Sequence, residues 1–340
     1  ALPDRLLEKC MAGEGLLAQI IVDKYMDHLP LHRQLQRFER AGVTIAPSTI
    51  NDWVKVALNQ LTALYEAHKK LVLSTRYLHA DETPLKVLED SSKHKSHTGY
   101  YWVYHNSIDK LVLFDYRTGR SREGPDDILQ NYQGYLQTDG FSAYLSFEKR
   151  PGIVLLNCMA HARRKFVEAL NNDRPRAEHA LALFARLYES ERKIKEEGLT
   201  GEEVMQIRES KSVPVLKELE EWMTAEYKTQ SLTGSIRRAI EYCLPRWGKL
   251  SLYTTDAILK IDNNPVESAI RPVAIGRKNY LFAGSHEAAQ RAAMVYSLFA
   301  TCKLHGINPF VWLKYALENM HGYNTSNITE LLPHKYQPTE

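Results

Sequence analysis

Cysteine is scarce in this chain, with four residues at positions 10, 158, 243 and 302, no Cys-x-x-Cys pair and no regular spacing. A disulfide framework is therefore excluded as a source of stability, and a reducing cytosol is the expected compartment. No apolar run approaches the ~18 to 20 residues of a membrane span, and the opening ALPDRLLEKCMAGEG has neither the basic start nor the apolar block of a signal peptide. No membrane role is expected. The phosphate loop of nucleoside triphosphatases and the motif set of kinases are both absent. An excess of one charge is missing too: 44 Lys and Arg face 41 Asp and Glu, for a formal net charge of +3. That balance argues neither for nor against a polyanionic partner, so clustering has to decide.

What is present is apolar content of 44% in 340 residues, enough for a sizeable core, and a length that favours two or three modules. Basic residues gather at Arg163-Arg164-Lys165, at Arg237-Arg238, and at Arg271 with Arg277-Lys278. In an arbitrary protein such a cluster is as often a solvated helix face as a contact surface. Two of the three lie in or beside the acidic segments described below.

Residues 1–75 read as helical. Leu16, Ile20 and Lys24 with Leu17, Ile21 and Tyr25 form a 3.6-period stripe, Pro30 suits the first turn of a second helix to about Arg40, and Gly42 supplies its stop. After Pro47 and Ser48 the spacing predicts one long helix with Trp53, Ala57, Leu61, Leu64 and Leu71 on one face. Helix, turn and helix fit either a helix-turn-helix module or a hairpin of helices packed on the core.

The period changes over 76–160. RYLHADET, GYYWVYHNS, KLVLFDYR, GYLQTDG and GIVLLNCM read as five strands, with a helix from about Gly124 to Asn131 between the third and fourth. Residues 161–260 return to helical periods, with a capping box at Thr200 to Glu203 and Pro214 and Pro245 as punctuation. The segment 261–306 carries DNNPVESAIRP and a helix capped by Ser285, and 307–340 adds a last helical element.

Three acidic residues stand in three separate segments at the edges of these elements: Asp81 in YLHADETPLKVL, Asp139 in GYLQTDGFSAYLSF and Glu267 in IDNNPVESAIRP. Carboxylates of this kind are what a two-metal phosphoryl-transfer site requires, where two divalent cations about 4 Å apart are bridged and flanked by acidic side chains. Each also has a plainer reading. Asp139-Gly140 between apolar residues is a hairpin signal, although FSAYLSF reads as a short helix. Asn264-Pro265-Val266-Glu267 fits an N-cap, Pro at N1 and a capping Glu at N3. Asp81 shares one strand face with Tyr77 and His79, and a strand-end Asp is usually a cap. Cys158-x-x-His161 offers two ligands and does not close a zinc site.

The blocks HADETPLKVL, YLQTDGFSAY, NCMAHARRKF and DNNPVESAIRPVAIGRKNYLFAGS, in that order, resemble the insertion-sequence-66 family of bacterial transposases, and the likeness continues through YMDHLPLHRQLQRFERAGVTIAPSTINDWV, HGINPFVWL and ITELLPHKY. It covers nearly the whole chain. It implies an α/β fold: a ribonuclease-H-like mixed five-stranded sheet interrupted by a large all-α insertion, with an N-terminal helical region and C-terminal helices. In such a sheet the first strand and the end of the fourth lie side by side, which would bring Asp81 to Asp139. Members carry a cysteine-rich zinc-binding segment further N-terminal; these residues, which begin with Ala as a fragment would, contain none, so no zinc-dependent DNA contact is assigned to them.

The resemblance also implies chemistry. Asp81, Asp139 and Glu267 are the expected catalytic and metal-binding triad, holding two Mg²⁺ for which Mn²⁺ substitutes. His161 and Asp262 are auxiliary candidates, the first as a group that orients or protonates at the phosphate, the second as a reserve carboxylate. Arg163, Arg164, Lys165, Arg271, Arg277 and Lys278 are expected on DNA phosphates, with Tyr280 stacking on an unpaired base unless it is a buried turn aromatic. Expected partners are the element's terminal inverted repeats and target DNA, a second copy in a homodimer assembled on DNA, and accessory element-encoded proteins. A nuclease without strand transfer and a non-catalytic DNA-binding protein are the alternatives.

Overall fold

The computed structural model describes residues 11–88, 96–229, 232–324 and 326–337. It is a mixed α/β fold whose strands, β1 (Tyr77–Leu88), β2 (Ser96–Asn106), β3 (Leu111–Arg117), β4 (Gly134–Thr138) and β5 (Ile153–Asn157), form a five-stranded mixed sheet of order β3-β2-β1-β4-β5. This accords with a ribonuclease-H-like core surrounded by helices. The chain divides into two compact units, Ala1–Tyr132 with Pro265–Glu340, and Gln133–Asn264.

In the first unit the N-terminal stripe forms the helix Glu14–Tyr25, burying Leu17, Ile20, Ile21 and Tyr25. Pro30 precedes the helix Leu31–Arg40, and Gly42 adopts φ +81 just beyond its end, as the stop signal requires. Gln34, fully buried, donates from Nε2 to the carbonyls of Ile20 and Leu29 at 3.1 and 3.0 Å and so joins the two helices. The long helix expected after Pro47 is broken into Pro47–Gln60 and Thr62–Leu73. Leu61 sits between them at ψ −2, its N–H reaching back to Leu58 O, while the Thr62 hydroxyl donates to Asn59 O at 2.7 Å. A local hydroxyl has displaced the helical ladder there, which a period count does not see.

β1, β2 and β3 pair antiparallel, with Asp81 opposite Val103 and Val103 opposite Phe114. The turn after β2 is organised by Asn106, whose Oδ1 accepts from Ile108 N and Asp109 N at 3.1 and 3.0 Å. Side chains satisfy backbone groups of β3 that its strand partner leaves open. Ser297 Oγ accepts from Phe114 N at 2.8 Å and Thr301 Oγ1 from Val112 N at 3.2 Å, while Tyr65 Oη donates to Phe114 O at 2.8 Å and His68 Nε2 lies 2.8 Å from Val112 O. The helices His286–Leu304 and Thr62–Leu73 thereby close what would otherwise be a bare strand edge. Burial lowers the His68 imidazole to about 4, with the bond to the Val112 carbonyl opposing the shift. The helix Pro309–Asn319, capped by Asn308, completes this unit, and Trp312 anchors it through Nε1 to Leu331 O at 3.0 Å.

In the second unit β4 and β5 are parallel, Gly134 opposite Ile153 and Thr138 opposite Asn157. The hairpin reading of Asp139-Gly140 is thereby overturned: parallel neighbours need a crossover, and the 3₁₀ segment Ser142–Lys149 supplies it. Helices Met159–Ala169, Arg174–Glu196, Gly201–Ile207, Val213–Tyr227 and Gly234–Cys243 follow. The capping box of Thr200 and Glu203 is formed, whereas Pro214 does not punctuate the chain: the helix Gly201–Ile207 runs through a π-helical stretch, Arg208–Ser212, directly into Val213–Tyr227, with Pro214 inside that run. Among the described residues no helix is long and apolar enough to cross a membrane.

Candidate functional site

Within the second unit, the chain around Asp139 is tightly determined. Asp139 follows the last residue of β4 and is half-buried. Its Oδ1 accepts from Phe141 N at 2.8 Å, and its own carbonyl accepts the Tyr242 hydroxyl at 2.8 Å. Gly140 adopts φ +91, and a Cβ there would lie 3.2 Å from Tyr242 Oη, 3.3 Å from Arg246 Nε and 3.6 Å from Asn157 Nδ2. The Asp-Gly pair is thus required by a left-handed backbone under a roof of polar side chains.

Three further contacts stitch the other candidates of this unit to the same end of β4 and β5. Cys158 N donates to Thr138 O at 3.0 Å, Met159 N to Ile261 O at 3.1 Å, and Asn263 N to Cys158 Sγ at 3.2 Å. Gln137 Nε2 adds a bond to Lys260 O at 3.1 Å. Asp139, the Cys158-x-x-His161 corner and Asp262 therefore converge although they are distant in sequence. Cys158 is fully buried and acts as a polar joint. Asp262 is 7% exposed and caps Asn264, its Oδ1 3.1 Å from Asn264 N and its Oδ2 2.7 Å from Asn264 Nδ2. Tyr188, from the helix Arg174–Glu196, has its hydroxyl pKa pushed far up, first by burial and then by the neighbouring Asp262, with Arg163 opposing. His161 is half-buried in the first turn of Met159–Ala169; Arg163 and Arg164 are exposed one turn on, and Lys165 pairs with Glu168 at 3.3 Å.

Within the first unit, Asp81 is half-buried on β1, and its Oδ1 accepts from Glu82 N at 2.8 Å. Tyr77 and His79 share its face and are fully buried, their rings 4.6 Å apart. Glu82, on the other face, pairs with Arg120. Glu267 stands half-buried in the first turn of the helix Asn264–Gly276, which begins at Asn264 itself, one residue earlier than the expected start at Pro265. Arg271, one turn further, is exposed and forms no ion pair among the described residues.

The loop after that helix returns to β1. Ala283 bridges Val87, with Ala283 N to Lys86 O at 2.8 Å and Leu88 N to Ala283 O at 3.0 Å, and Arg277 Nη1 donates to Pro84 O. Burial holds the Arg277 guanidinium below its ordinary range. Lys278 is exposed. Tyr280 shares a hydrogen bond with the hydroxyl of Tyr296 and covers Gly276, where a Cβ would collide with its ring; burial pushes its pKa up to about 12. The exposed apolar residues of this loop are Leu281 and Phe282, at 72% and 49%. Neither they nor Lys86 were singled out by the sequence, because no period or motif marks a loop whose course is set by a one-residue bridge to β1.

The family model described as "Transposase IS66 family" matches residues 9–291, and that described as "IS66 C-terminal element" matches residues 297–334. The chain belongs to the IS66 family of transposases. Its relatives include three proteins of Sinorhizobium fredii (strain NBRC 101917 / NGR234). The uncharacterized protein y4hP is 32% identical over 96% of this chain and 62% of its own length. The uncharacterized protein y4jD is 30% identical over 97% and 67%, and the uncharacterized protein y4qI 32% identical over 99% and 65%. The chain thus spans less than two thirds of the length of y4hP and y4qI. Membership of the IS66 family carries the general expectation of divalent metal use. Asp81, Asp139 and Glu267 are each half-buried carboxylates, and Asp139 uses one oxygen on Phe141 N–H, with no hydrogen bond to Oδ2 among the described residues. Hard oxygen donors of this type match Mg²⁺ or Mn²⁺.

Proposed function

We propose that the chain is the catalytic part of a DNA transposase that cleaves at insertion-sequence ends and transfers the resulting 3′-hydroxyl into target DNA. The observation that carries this reading is the family match over residues 9–291, which spans Asp81, Asp139 and Glu267 in order. Those three carboxylates would hold two divalent cations, which when bound supply Lewis-acid activation at the scissile phosphodiester. The protein's own contribution is positioning. The Asp139-Gly140 turn fixes one carboxylate by its backbone, and the helix Asn264–Gly276 presents another from its first turn. Arg163, Arg164 and Lys165 on the first helix after β5, together with Arg271, Arg277 and Lys278, neutralise DNA phosphates. His161 lies at the helix start beside the Cys158 joint and is the group to exchange a proton with a leaving oxygen. A transposase must hold two DNA ends, so the working form is a dimer assembled on DNA, acting in the bacterial cytoplasm with element-encoded accessory proteins.

The test is cleavage and joining on a labelled duplex carrying the terminal repeat, with Mg²⁺ or Mn²⁺, comparing the chain with Asp81→Asn, Asp139→Asn and Glu267→Gln. Metal-dependent products from the parent and none from the variants are expected. Nicking without joining of a precut end would reduce the proposal to a nuclease. Intact cleavage in Glu267→Gln with loss in Asp262→Asn would replace Glu267 by Asp262 in the triad.

A further inference from the structure

A cavity of about 320 Å³ opens in the first unit, between the loop 277–284, β1 and the N-terminal helices. Its inner wall is aromatic. Tyr25 and Tyr296 meet edge to face at 5.5 Å, Tyr101 stands 6.0 Å from Tyr296, and Tyr280 closes one side through its bond to Tyr296. The small side chains of Ala288 and Ala292 leave the room. Among the described residues no Asp or Glu lines it, whereas Lys24, Lys86 and Arg277 do. Among the described residues Arg277 has no carboxylate partner and is partly desolvated, and Lys86 Nζ bonds the neutral Thr98 hydroxyl at 2.7 Å and no carboxylate. At the rim stand the exposed Leu281 and Phe282.

We infer that this pocket receives a single unstacked nucleobase of bound DNA, with Lys24, Lys86 and Arg277 on its flanking phosphates and Leu281-Phe282 wedged into the gap it leaves. The inference rests on the DNA reading above. The size selects the occupant, because ligand pockets run from roughly 300 to 1,000 Å³ and this one is at the small end, suited to a nucleotide and too small for a folded segment. Charge selects it too. An apolar peptide would leave three cations facing no counter-charge, whereas a nucleotide brings a flat ring for the tyrosine-lined wall, where Tyr25, Tyr101 and Tyr296 are each under 5% exposed, and an anion for the mouth. Apolar residues beside a base-sized pocket are the arrangement by which proteins unstack a base step and capture what is displaced.

The test uses the full chain and two duplexes of one sequence, fully paired or carrying a single bulged 2-aminopurine. The parent is expected to prefer the bulged duplex by about tenfold, the order of one base-stacking interaction, with quenched 2-aminopurine fluorescence. Ala288→Phe, which fills the pocket from a half-exposed helix position, is expected to abolish both, and Phe282→Ala to weaken the preference while the quench persists. Unchanged preference in Ala288→Phe overturns the inference. So does equal binding of the two duplexes by the parent, which leaves the DNA reading standing. A change of oligomeric state in Ala288→Phe with the bulge preference intact would assign the pocket to a second copy and also overturn it. Failure to bind either duplex refutes the DNA reading itself, and this inference with it.

Discussion

Arg208 is the residue whose removal is expected to damage the second unit most. Its side chain is 1% exposed, and its guanidinium makes five hydrogen bonds. Nε and Nη2 hold the Glu191 carboxylate at 2.8 and 2.8 Å, Nη1 reaches Tyr253 O at 2.6 Å and Asp256 O at 3.0 Å, and Nη2 reaches Leu259 O at 2.9 Å. The residue opens a short π-helical stretch, Arg208–Ser212, which turns it inward. It therefore pins residues 253–259 to the helix Arg174–Glu196 immediately before the strand of chain that carries Asp262. Arg208→Ala leaves a carboxylate that is 14% exposed without its partner and three carbonyls without donors. Breaking a buried pair in this way costs about 3–5 kcal/mol, and at roughly 2–4 °C per kcal/mol for a domain of moderate size the unit should melt about 10 °C lower. Arg208→Lys keeps the charge but offers three donors in the wrong geometry, so roughly half of that loss is expected. Calorimetry reads the melting, and amide exchange at Met159 and Asn263, whose N–H groups bond Ile261 O and Cys158 Sγ, reads the local consequence. A melting point within about 2 °C of the parent, with unchanged exchange at those two amides, would refute the reasoning, since ~2 °C corresponds to a kcal/mol or less.

Gly140→Ala forces a side chain into φ +91 beneath Tyr242 and Arg246; a cost of about 1–3 kcal/mol is expected, with metal-dependent cleavage reduced more than DNA binding in a gel-shift comparison. Ser297→Ala removes the acceptor for the buried Phe114 N–H, which should cost about 1–3 kcal/mol in urea unfolding, and Ser297→Thr should recover part of it. His68 and His105 both titrate near 4 in the folded chain because burial disfavours their charged forms. The unfolded chain protonates them near the ordinary ~6.5, so it binds more protons between those values, and stability is full above pH 6.5 and falls as pH is lowered toward 4. Melting curves across that window should show His68→Gln with a shallower fall than the parent; equal slopes would exclude His68 as a contributor.

Local chemistry made several features readable from residues alone. The Glu14–Tyr25 stripe, the stop at Gly42, the Thr200–Glu203 box, the Ser285 cap and the five strands each depend on neighbours in sequence, and the blocks that mark the IS66 family are contiguous strings. Other features depend on residues that sequence does not place together. The break at Leu61 needs a threonine hydroxyl to compete for one carbonyl. The parallel pairing of β4 with β5 reversed the hairpin signal of Asp139-Gly140 because pairing direction is decided by the crossover and not by the dipeptide. Tyr280 turned its ring onto Gly276 and its hydroxyl to Tyr296, a contact sixteen residues away on another helix.

The sequence by itself thus determined the family, the order of helices and strands, and the candidate carboxylates, because periodicity, capping and contiguous motifs are written within a few residues. Only the tertiary structure decided that Asp139, Cys158 and Asp262 converge at one end of β4 and β5, that Arg208 ties down the chain leading to Asp262, and that four tyrosines and three cations enclose a cavity. Those arrangements are set by long-range hydrogen bonds and side-chain packing, whose partners no local pattern names.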